Sequence, residues 1–253
     1  MRKRHNLDAR LEKCAEYIID DPAALRGRWL EAFPGYAALH LELGCGKGRF
    51  TVETAANNPE TLFVAVELVP DAMIIALERV RDRGLANVRF ISGDAKRLPE
   101  LFAPGEAARV YINFCDPWPK SRDAKYRLTA PGFLRLYTQV LPIGGQIHFK
   151  TDNAPLFDWS VEQFEAEGWT LRQVTHDLHQ NGPQGVMTDY ELKFYELGVK
   201  INRLEATRGS STKGPDAGQL PRLRNASLTD ARGYQESRQA NSGQNNTQEN
   251  GEI

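Results

Sequence analysis

Short apolar runs alternate with amphipathic stretches along most of the chain. The apolar runs are rich in β-branched residues and stop at polar or glycine positions, which predicts five strands, over residues 37–43, 61–67, 88–92, 109–114 and 144–152. Between them, apolar residues recur every three or four positions, which predicts helices over residues 49–58, 70–84, 131–141 and 154–168. Strands that alternate with such helices are typical of a doubly wound, mostly parallel sheet.

The pattern changes after the last of these helices. Residues 169–178 and 189–198 are interpreted as two further strands, and the short loop between them predicts an antiparallel pair at one edge. The expected fold is therefore α/β and Rossmann-like, with a seven-stranded sheet over residues 35–206. A basic, helical segment is expected over residues 1–34. Gly, Ser, Asn and Gln dominate residues 207–253, which predicts a disordered tail.

Carboxylates stand at or just past the carboxyl ends of five consecutive predicted strands. Ligands of open parallel sheets bind beyond this edge, so these side chains are candidate ligand contacts. They are Glu42, Glu67, Asp94, Asp116 and Asp152.

The segment LELGCGKGRF, residues 41–50, joins the first strand to a helix and contains Gly44, Gly46 and Gly48. Such glycines allow a tight turn and the close approach of a ligand to the backbone. A dinucleotide-binding loop, the alternative, has its third glycine one position later, where Arg49 stands. The E-x-G-x-G-x-G spacing resembles instead the loop of class I S-adenosylmethionine-dependent methyltransferases.

That resemblance implies S-adenosylmethionine as the cofactor. A loop led by Glu42 suits the ammonium and sulfonium groups of the methionine part of this cofactor. A carboxylate at Glu67 can accept hydrogen bonds from both ribose hydroxyls. Asp94 is placed to meet the adenine amino group.

A second motif, FCDPWPKSRDAKYRL, covers residues 114–128. In this fold the end of the fourth strand faces the methyl group of the cofactor, so Asp116 stands where the methyl acceptor enters. Pro117 and Pro119 stiffen the turn, and Trp118 can pack as a wall for a flat ring. The cations that follow indicate phosphate contacts, and they are Lys120, Arg122, Lys125 and Arg127.

This motif, with HFKTDN (148–153) and TDYELKF (188–194), resembles the signature of the bacterial single-chain tRNA (guanine-N7)-methyltransferase family. The resemblance covers roughly residues 35–205, with the motifs in the order of the family. It implies methyl transfer to N7 of a guanine in the variable loop of tRNA, with RNA contacts by the loop 122–127. It implies cofactor contacts by Glu42, Glu67, Asp94 and Asp116. It implies substrate contacts by Lys120, Asp152, Thr188, Asp189, Tyr190 and Glu191.

The chemistry of this acceptor assigns a role to Asp116. Guanine N7 has an in-plane lone pair and no proton to lose, so displacement at the methyl group needs alignment rather than a strong base. Asp116 is therefore interpreted as a catalytic group that orients the base and stabilises its developing positive charge. N1–H and the 2-amino group of guanine match a carboxylate, which either Asp152 or Glu191 can supply. The sequence leaves that choice open.

Two other functions are considered. An N6-adenine or exocyclic-amine methyltransferase often has a (D/N)-P-P-(F/Y/W) turn at the same strand end, whereas DPWP displaces the second proline by one position. The other alternative is a non-catalytic RNA-binding subunit that retains the fold. The intact set of carboxylates argues against this second alternative.

Composition limits the partners and the cellular location that the protein can have. The chain has 253 residues and a formal net charge of −1, so any RNA-binding surface is a local basic patch. Cys14, Cys45 and Cys115 have neither disulfide nor metal-site spacing, and no apolar run suits a signal peptide or a membrane span. We therefore expect a cytoplasmic monomer or homodimer with tRNA as its partner, without membrane association and without metal.

Overall fold

The computed structural model describes residues 6–215. Its strands are β1 (Ala38–Leu43), β2 (Thr61–Glu67), β3 (Val88–Ser92), β4 (Arg109–Asn113), β5 (Gln146–Thr151), β6 (Thr170–Thr175) and β7 (Asn202–Thr207). They form one sheet in the order β3-β2-β1-β4-β5-β7-β6. Strands β1 to β5 are parallel to their neighbours in this group, whereas β7 is antiparallel to both β5 and β6. The prediction of a doubly wound, mostly parallel α/β sheet is confirmed.

Helices cover both faces of this sheet. They are α1 (Leu7–Glu12), α2 (Trp29–Ala32), α3 (Arg49–Asn57), α4 (Pro70–Arg83), α5 (Leu98–Leu101), α6 (Pro131–Tyr137), α7 (Ala154–Ala166) and α8 (Asp189–Glu196). Helices α5, α6 and α7 bury one face in a core that contains Leu41 and Phe149, and α3 and α4 bury the other face around Phe63. Within the described part of the chain, every helix is too short or too polar to cross a membrane.

The prediction of a strand over residues 189–198 is wrong, because this segment begins with helix α8. The Glu191 N–H donates to Thr188 Oγ1 at 2.9 Å, and the Thr188 N–H donates to Glu191 Oε2 at 3.2 Å. This reciprocal pair is a capping box, which satisfies free N–H groups of the first turn and favours a helix. The antiparallel edge pair exists, but β6 forms it with β7.

The start of the chain packs onto the sheet and onto α4. Arg10 donates two hydrogen bonds to the Glu78 carboxylate, at 2.7 and 2.6 Å. The Ile19 N–H donates to the Phe90 carbonyl at 2.9 Å and so extends the edge at β3. The basic residues 1–5 lie outside the described residues.

The chain remains attached to the domain beyond β7. Thr207, where the sequence predicts the tail to begin, pairs within the sheet. Further on, the Lys213 N–H donates to the Glu167 carbonyl at 2.9 Å. The rest of the predicted tail, residues 216–253, lies outside the described part of the chain.

Candidate functional site

The parallel strands bring the predicted acidic side chains to one edge of the sheet. Glu67 at the end of β2 lies beside Ser92 of β3, and Asn113 at the end of β4 lies beside Lys150 of β5. The other predicted carboxylates lie in β1 or just after β3, β4 and β5, and they are Glu42, Asp94, Asp116 and Asp152. Negative charge is therefore concentrated where open sheets bind ligands.

The glycine loop between β1 and α3 is tight and open on its outer side. Gly44, Gly46 and Gly48 have φ values of +77°, +55° and +78°, a region that favours glycine. A Cβ at Gly44 or Gly46 would meet no atom of the described residues within 4 Å, so space remains beside the loop. A Cβ at Gly48 would lie 2.4 Å from Ala76 Cβ, so glycine is needed there for the loop to pack on α4.

Glu67 connects this loop to the start of α4. One carboxylate oxygen accepts a hydrogen bond from the Gly46 N–H and the other from the Val69 N–H, both at 2.9 Å. Glu67 is buried, so its negative charge lies beneath the loop rather than in solvent. Both oxygens of this carboxylate therefore hold the backbone on either side of the ligand-binding edge.

Glu42 is buried in β1 next to the same loop. Thr51 Oγ1 of α3 donates to Glu42 Oε2 at 2.5 Å, and Asn113 Nδ2 of β4 lies 3.4 Å from Glu42 Oε1. Burial raises the pKa of Glu42 to about 7, although both hydrogen bonds favour the ionised form. This carboxyl therefore changes charge near neutral pH, and a cation nearby would stabilise its ionised form.

The turn that carries Asp116 is held in an uncommon conformation. Phe114 and Trp118, which flank Asp116, have φ values of +53° and +42°. Such values cost non-glycine residues roughly 1–3 kcal/mol each and occur often at functional sites. Asp116 itself is buried at the end of β4. The turn thus places one carboxylate at the ligand-binding edge in a fixed position.

Arg127 holds this turn in place. Its Nε donates to the Pro117 carbonyl at 2.9 Å, and its Nη2 donates to the Trp118 carbonyl at 3.0 Å. Its guanidinium also lies over the Trp159 ring, 4.3 Å from the centroid. The side chain is half-buried and engaged by the protein through these contacts, whereas the basic run predicts an RNA contact for it. Nothing in the local sequence distinguishes it from the other cations of that run.

The remaining cations of the loop face solvent. Lys120, Arg122 and Lys125 are all exposed. The exposed Tyr126 ring lies between Lys125 and Lys96, with Nζ-to-centroid distances of 5.2 and 5.7 Å. Cations beside an exposed aromatic ring are a combination that binds nucleic-acid backbone and bases.

Glu191 does not reach the open edge of the site. It is fully buried, with Oε2 2.6 Å from Lys150 Nζ and Oε1 3.1 Å from His179 Nε2. The Gln184 N–H donates to His179 Nδ1 at 3.2 Å, which leaves Nε2 to donate to Glu191. Lys150 Nζ also donates to the Val186 carbonyl at 2.9 Å. Glu191 therefore attaches the 179–191 region to β5 through Lys150 and holds the two ends of this region together through His179.

The other three residues of the TDYE segment, 188–191, have different surroundings. Thr188 caps α8, and Asp189 accepts hydrogen bonds from both terminal nitrogens of Arg79, at 2.5 and 3.1 Å. Tyr190 is exposed, and its ring centroid lies 5.9 Å from that of Phe114. Tyr190 therefore borders the turn that carries Asp116.

Asp94 and Asp152 lie on either side of the β4 end. Asp94 Oδ1 accepts a hydrogen bond from the Lys96 N–H at 2.9 Å. Asp152 is half-buried just after β5, and burial raises its pKa. Across residues 6–215, no group of three or more His, Cys, Asp or Glu side chains is arranged to hold a metal ion.

Several residues that contact this site were not among the sequence candidates. They are Thr51, Arg79, Asn113, Lys150 and His179. Each contacts a predicted residue that lies in another element or loop, so no spacing within one helix or strand identifies it. Lys150 is the partial exception, because it lies inside the HFKTDN motif.

Comparison with known proteins finds related methyltransferases over most of the chain. A family model described as "Putative methyltransferase" matches residues 36–204. The tRNA (guanine-N(7)-)-methyltransferase of Geobacillus kaustophilus is 45% identical over 194 residues, which cover 76% of this chain and 89% of that protein. The tRNA (guanine-N(7)-)-methyltransferase of Streptococcus suis is 42% identical over 207 residues, which cover 81% and 98%.

Solved structures agree with the fold. An antibiotic-related methyltransferase aligns with a TM-score of 0.54 at 16% identity, over 72% of this chain and 93% of that one. The 16S rRNA methyltransferase KamB aligns with a TM-score of 0.56 at 18% identity, over 75% and 94%. At such identities these likenesses concern the fold alone.

Proposed function

The chain belongs to the tRNA (guanine-N(7)-)-methyltransferase family, and we propose from this premise that it methylates N7 of a guanine in the variable loop of tRNA, with S-adenosyl-L-methionine as donor. The observation that carries the proposal is the meeting of three features at one sheet edge. These are the open glycine loop, the buried carboxylates Glu42 and Glu67, and the strained turn at Asp116. The substrate implies a cytoplasmic enzyme.

The chain offers a suitable environment for this cofactor, which supplies an electrophilic methyl group when bound. The open space beside Gly44 and Gly46 fits a ligand that lies against the backbone. Glu42 and Glu67 supply negative charge for its cationic part and acceptors for its hydroxyl groups. Asp94, beyond β3, supplies an acceptor for its amino group.

Asp116 is proposed as the catalytic residue. The fixed turn holds its carboxylate at the end of β4, where it orients the purine for in-line attack by N7. Positive charge develops on the purine as the new bond forms, and a preorganised carboxylate stabilises it. Asp116 accepts no proton in this step, because N7 has none to give.

Asp152 is the better candidate for reading guanine. Glu191 is occupied by Lys150 and His179 and is fully buried, whereas Asp152 is half-buried just beyond β5. A carboxylate at this place can accept hydrogen bonds from N1–H and the 2-amino group together. Adenine lacks that donor pair and would leave the carboxylate without partners.

Lys120, Arg122 and Lys125 are proposed as RNA contacts. Their exposure beside the turn at Asp116 supports binding to phosphates that flank the target guanine. Tyr190 borders the same turn and offers an exposed ring, and its neighbours Thr188 and Asp189 are proposed to contact the substrate with it. A stacked guanine must leave its neighbouring bases before its N7 can align with the methyl group of the donor. An exposed aromatic ring can then stack on the displaced base.

The test is methyl transfer from labelled S-adenosylmethionine to an unmodified tRNA transcript, followed by borohydride reduction and aniline cleavage at N7-methylguanine. Cleavage at one variable-loop guanine is the expected result. A transcript with adenine at that position is the matched control and should remain uncleaved. Label incorporation without cleavage would contradict methylation at N7 and would indicate an exocyclic amine as the acceptor. The absence of incorporation would contradict the proposed methyltransferase activity.

A further inference from the structure

Arg79 of α4 contacts two parts of the site at once, the glycine loop and the TDYE segment. Its Nη1 donates to Asp189 Oδ2 at 2.5 Å and to the Lys47 carbonyl at 3.0 Å, and its Nη2 donates to Asp189 Oδ1 at 3.1 Å. Nη1 has two protons, so both of its hydrogen bonds form together. One guanidinium therefore joins the glycine loop to the TDYE segment.

On the cofactor side, the contact lies inside the glycine loop. Lys47 stands between Gly46 and Gly48, and Gly48 packs directly against Ala76. Ala76 and Arg79 are three positions apart and share one face of α4. The helix thus holds the loop at two adjacent points, one by packing and one by a hydrogen bond.

On the substrate side, the contact lies in the first turn of α8. Asp189 is followed by Tyr190, which borders Phe114, and by Glu191, which is fixed to Lys150. Displacement of the Asp189 backbone would therefore move the exposed ring at the entrance of the site. Arg79 therefore links the glycine loop to the residue that precedes this ring.

We propose that Arg79 is a positioning residue that couples cofactor binding to tRNA binding; this proposal rests on the proposed function. A cofactor that fixes the glycine loop also fixes the Lys47 carbonyl, and through Arg79 the TDYE segment. tRNA then meets Asp189 and Tyr190 held in place by Arg79, in addition to the hold of Lys150 on Glu191, so its affinity rises. By linkage, tRNA raises the affinity for the cofactor by the same factor.

The chain provides a matched control on the same helix. Arg10 makes a two-pronged ion pair with Glu78, next to Arg79 in sequence. The two ion pairs have similar side-chain exposure, at 28% and 25% for Arg10 and Glu78 and at 37% and 35% for Arg79 and Asp189. Arg10 touches neither the glycine loop nor α8 in any of the described contacts. Loss of this pair changes α4 without changing the proposed link.

The experiment measures tRNA affinity of the full chain with and without saturating S-adenosylhomocysteine, at one salt concentration. The wild-type protein should bind the transcript about 5- to 10-fold more tightly with this ligand. We call this ratio of tRNA affinities, with and without the ligand, the coupling factor. Arg79→Met should bring the coupling factor close to 1, about the value expected without coupling. Arg79→Lys should give an intermediate factor, because an ammonium group lacks the planar fork that serves both partners. Arg10→Met should retain the wild-type factor, and the KM of Arg79→Met should change more than its kcat.

Three results would overturn the coupling while leaving the proposed function intact. One is a wild-type protein that methylates normally but binds tRNA equally with and without the ligand. Another is an Arg79→Met variant with the wild-type factor. The third is an Arg10→Met variant that loses as much coupling, which would make the effect one of helix stability. A wild-type chain that forms no N7-methylguanine would overturn the proposed function and the coupling together, and the assay above identifies this case.

Discussion

Lys150 Nζ lies 2.6 Å from Glu191 Oε2, and both side chains are buried where β5 meets the start of α8. The pair joins two motifs that are far apart in the sequence, HFKTDN and TDYELKF. His179 and the Val186 carbonyl complete the hydrogen bonds of the two charges. The region that follows β6 is therefore fixed to the sheet next to Asp152.

Replacement of Lys150 by Met should destabilise the protein strongly. Glu191 would keep a buried charge without its cation, and the loss of one partner from a buried pair costs about 3–5 kcal/mol. Chemical denaturation should show this decrease in the free energy of unfolding. Lys150→Met/Glu191→Gln should recover much of it, because neither charge remains. Lys200 pairs with Asp177 at the surface, so Lys200→Met should cost less than about 1 kcal/mol. Equal losses of stability in the two lysine variants would contradict the stabilising role of the buried Lys150–Glu191 pair.

Asp152 and Glu191 should respond in opposite ways to loss of charge. Asp152→Asn presents an amide N–H to the guanine donor pair, so kcat/KM for tRNA should fall about 100-fold or more. Its stability should change little, since burial already raises the pKa of this carboxyl. Glu191→Gln should instead lower stability, because Lys150 loses its counter-charge. Kinetics and denaturation of both variants separate the roles, and a Glu191→Gln enzyme that is stable but inactive would reverse them.

The basic loop should divide into RNA contacts and a structural arginine. Arg122→Glu/Lys125→Glu should raise the KM for tRNA and flatten the plot of log affinity against log salt by about two units of slope. Cofactor affinity should not change. Arg127→Met should reduce stability by about 1–2 kcal/mol, because two carbonyls of the turn lose their donors. If Arg127→Met changes only the salt dependence, its side chain binds RNA after all.

Much of the fold follows from local hydrophobic pattern. Strands β2 and β3 have the predicted bounds, because apolar runs with polar ends leave little choice of register. The alternation of apolar residues over 189–198 favours a strand, whereas the T-x-x-E spacing of Thr188 and Glu191 favours the start of a helix. That spacing predicts a capped helix, which the structure contains.

The candidate site is less visible in the sequence. Position at a strand end predicts which carboxylates lie together, since every parallel strand delivers its end to one edge. It does not predict that Glu191 is buried or that Arg127 turns inward. Those outcomes depend on Lys150 and Trp159, which approach only after the chain has folded.

Asp116→Ala should affect turnover far more than stability. Loss of a preorganised charge at the reacting base typically lowers kcat by about 10² to 10³. Denaturation of the variant should show a change of less than about 1 kcal/mol, because the turn is held through Pro117 and Trp118 by Arg127. Asp123→Ala, in the same loop, is the control and should retain most activity. Wild-type methylation by Asp116→Ala would refute the catalytic assignment.

Cofactor binding should release a proton near neutral pH, and Glu42 should be its source. Burial raises the pKa of Glu42 to about 7, so this carboxyl binds a proton in part of the unliganded molecules near neutral pH. The positive charge of the cofactor stabilises the ionised form and lowers this pKa, so affinity should rise as pH increases through 7. His40 and His148, whose pKa values burial lowers to about 4 and about 3, do not contribute there. Calorimetry of S-adenosylmethionine binding in two buffers of different ionisation enthalpy measures the release. Glu42→Gln should bind more weakly and abolish the Glu42 contribution, whereas unchanged release would place the proton elsewhere.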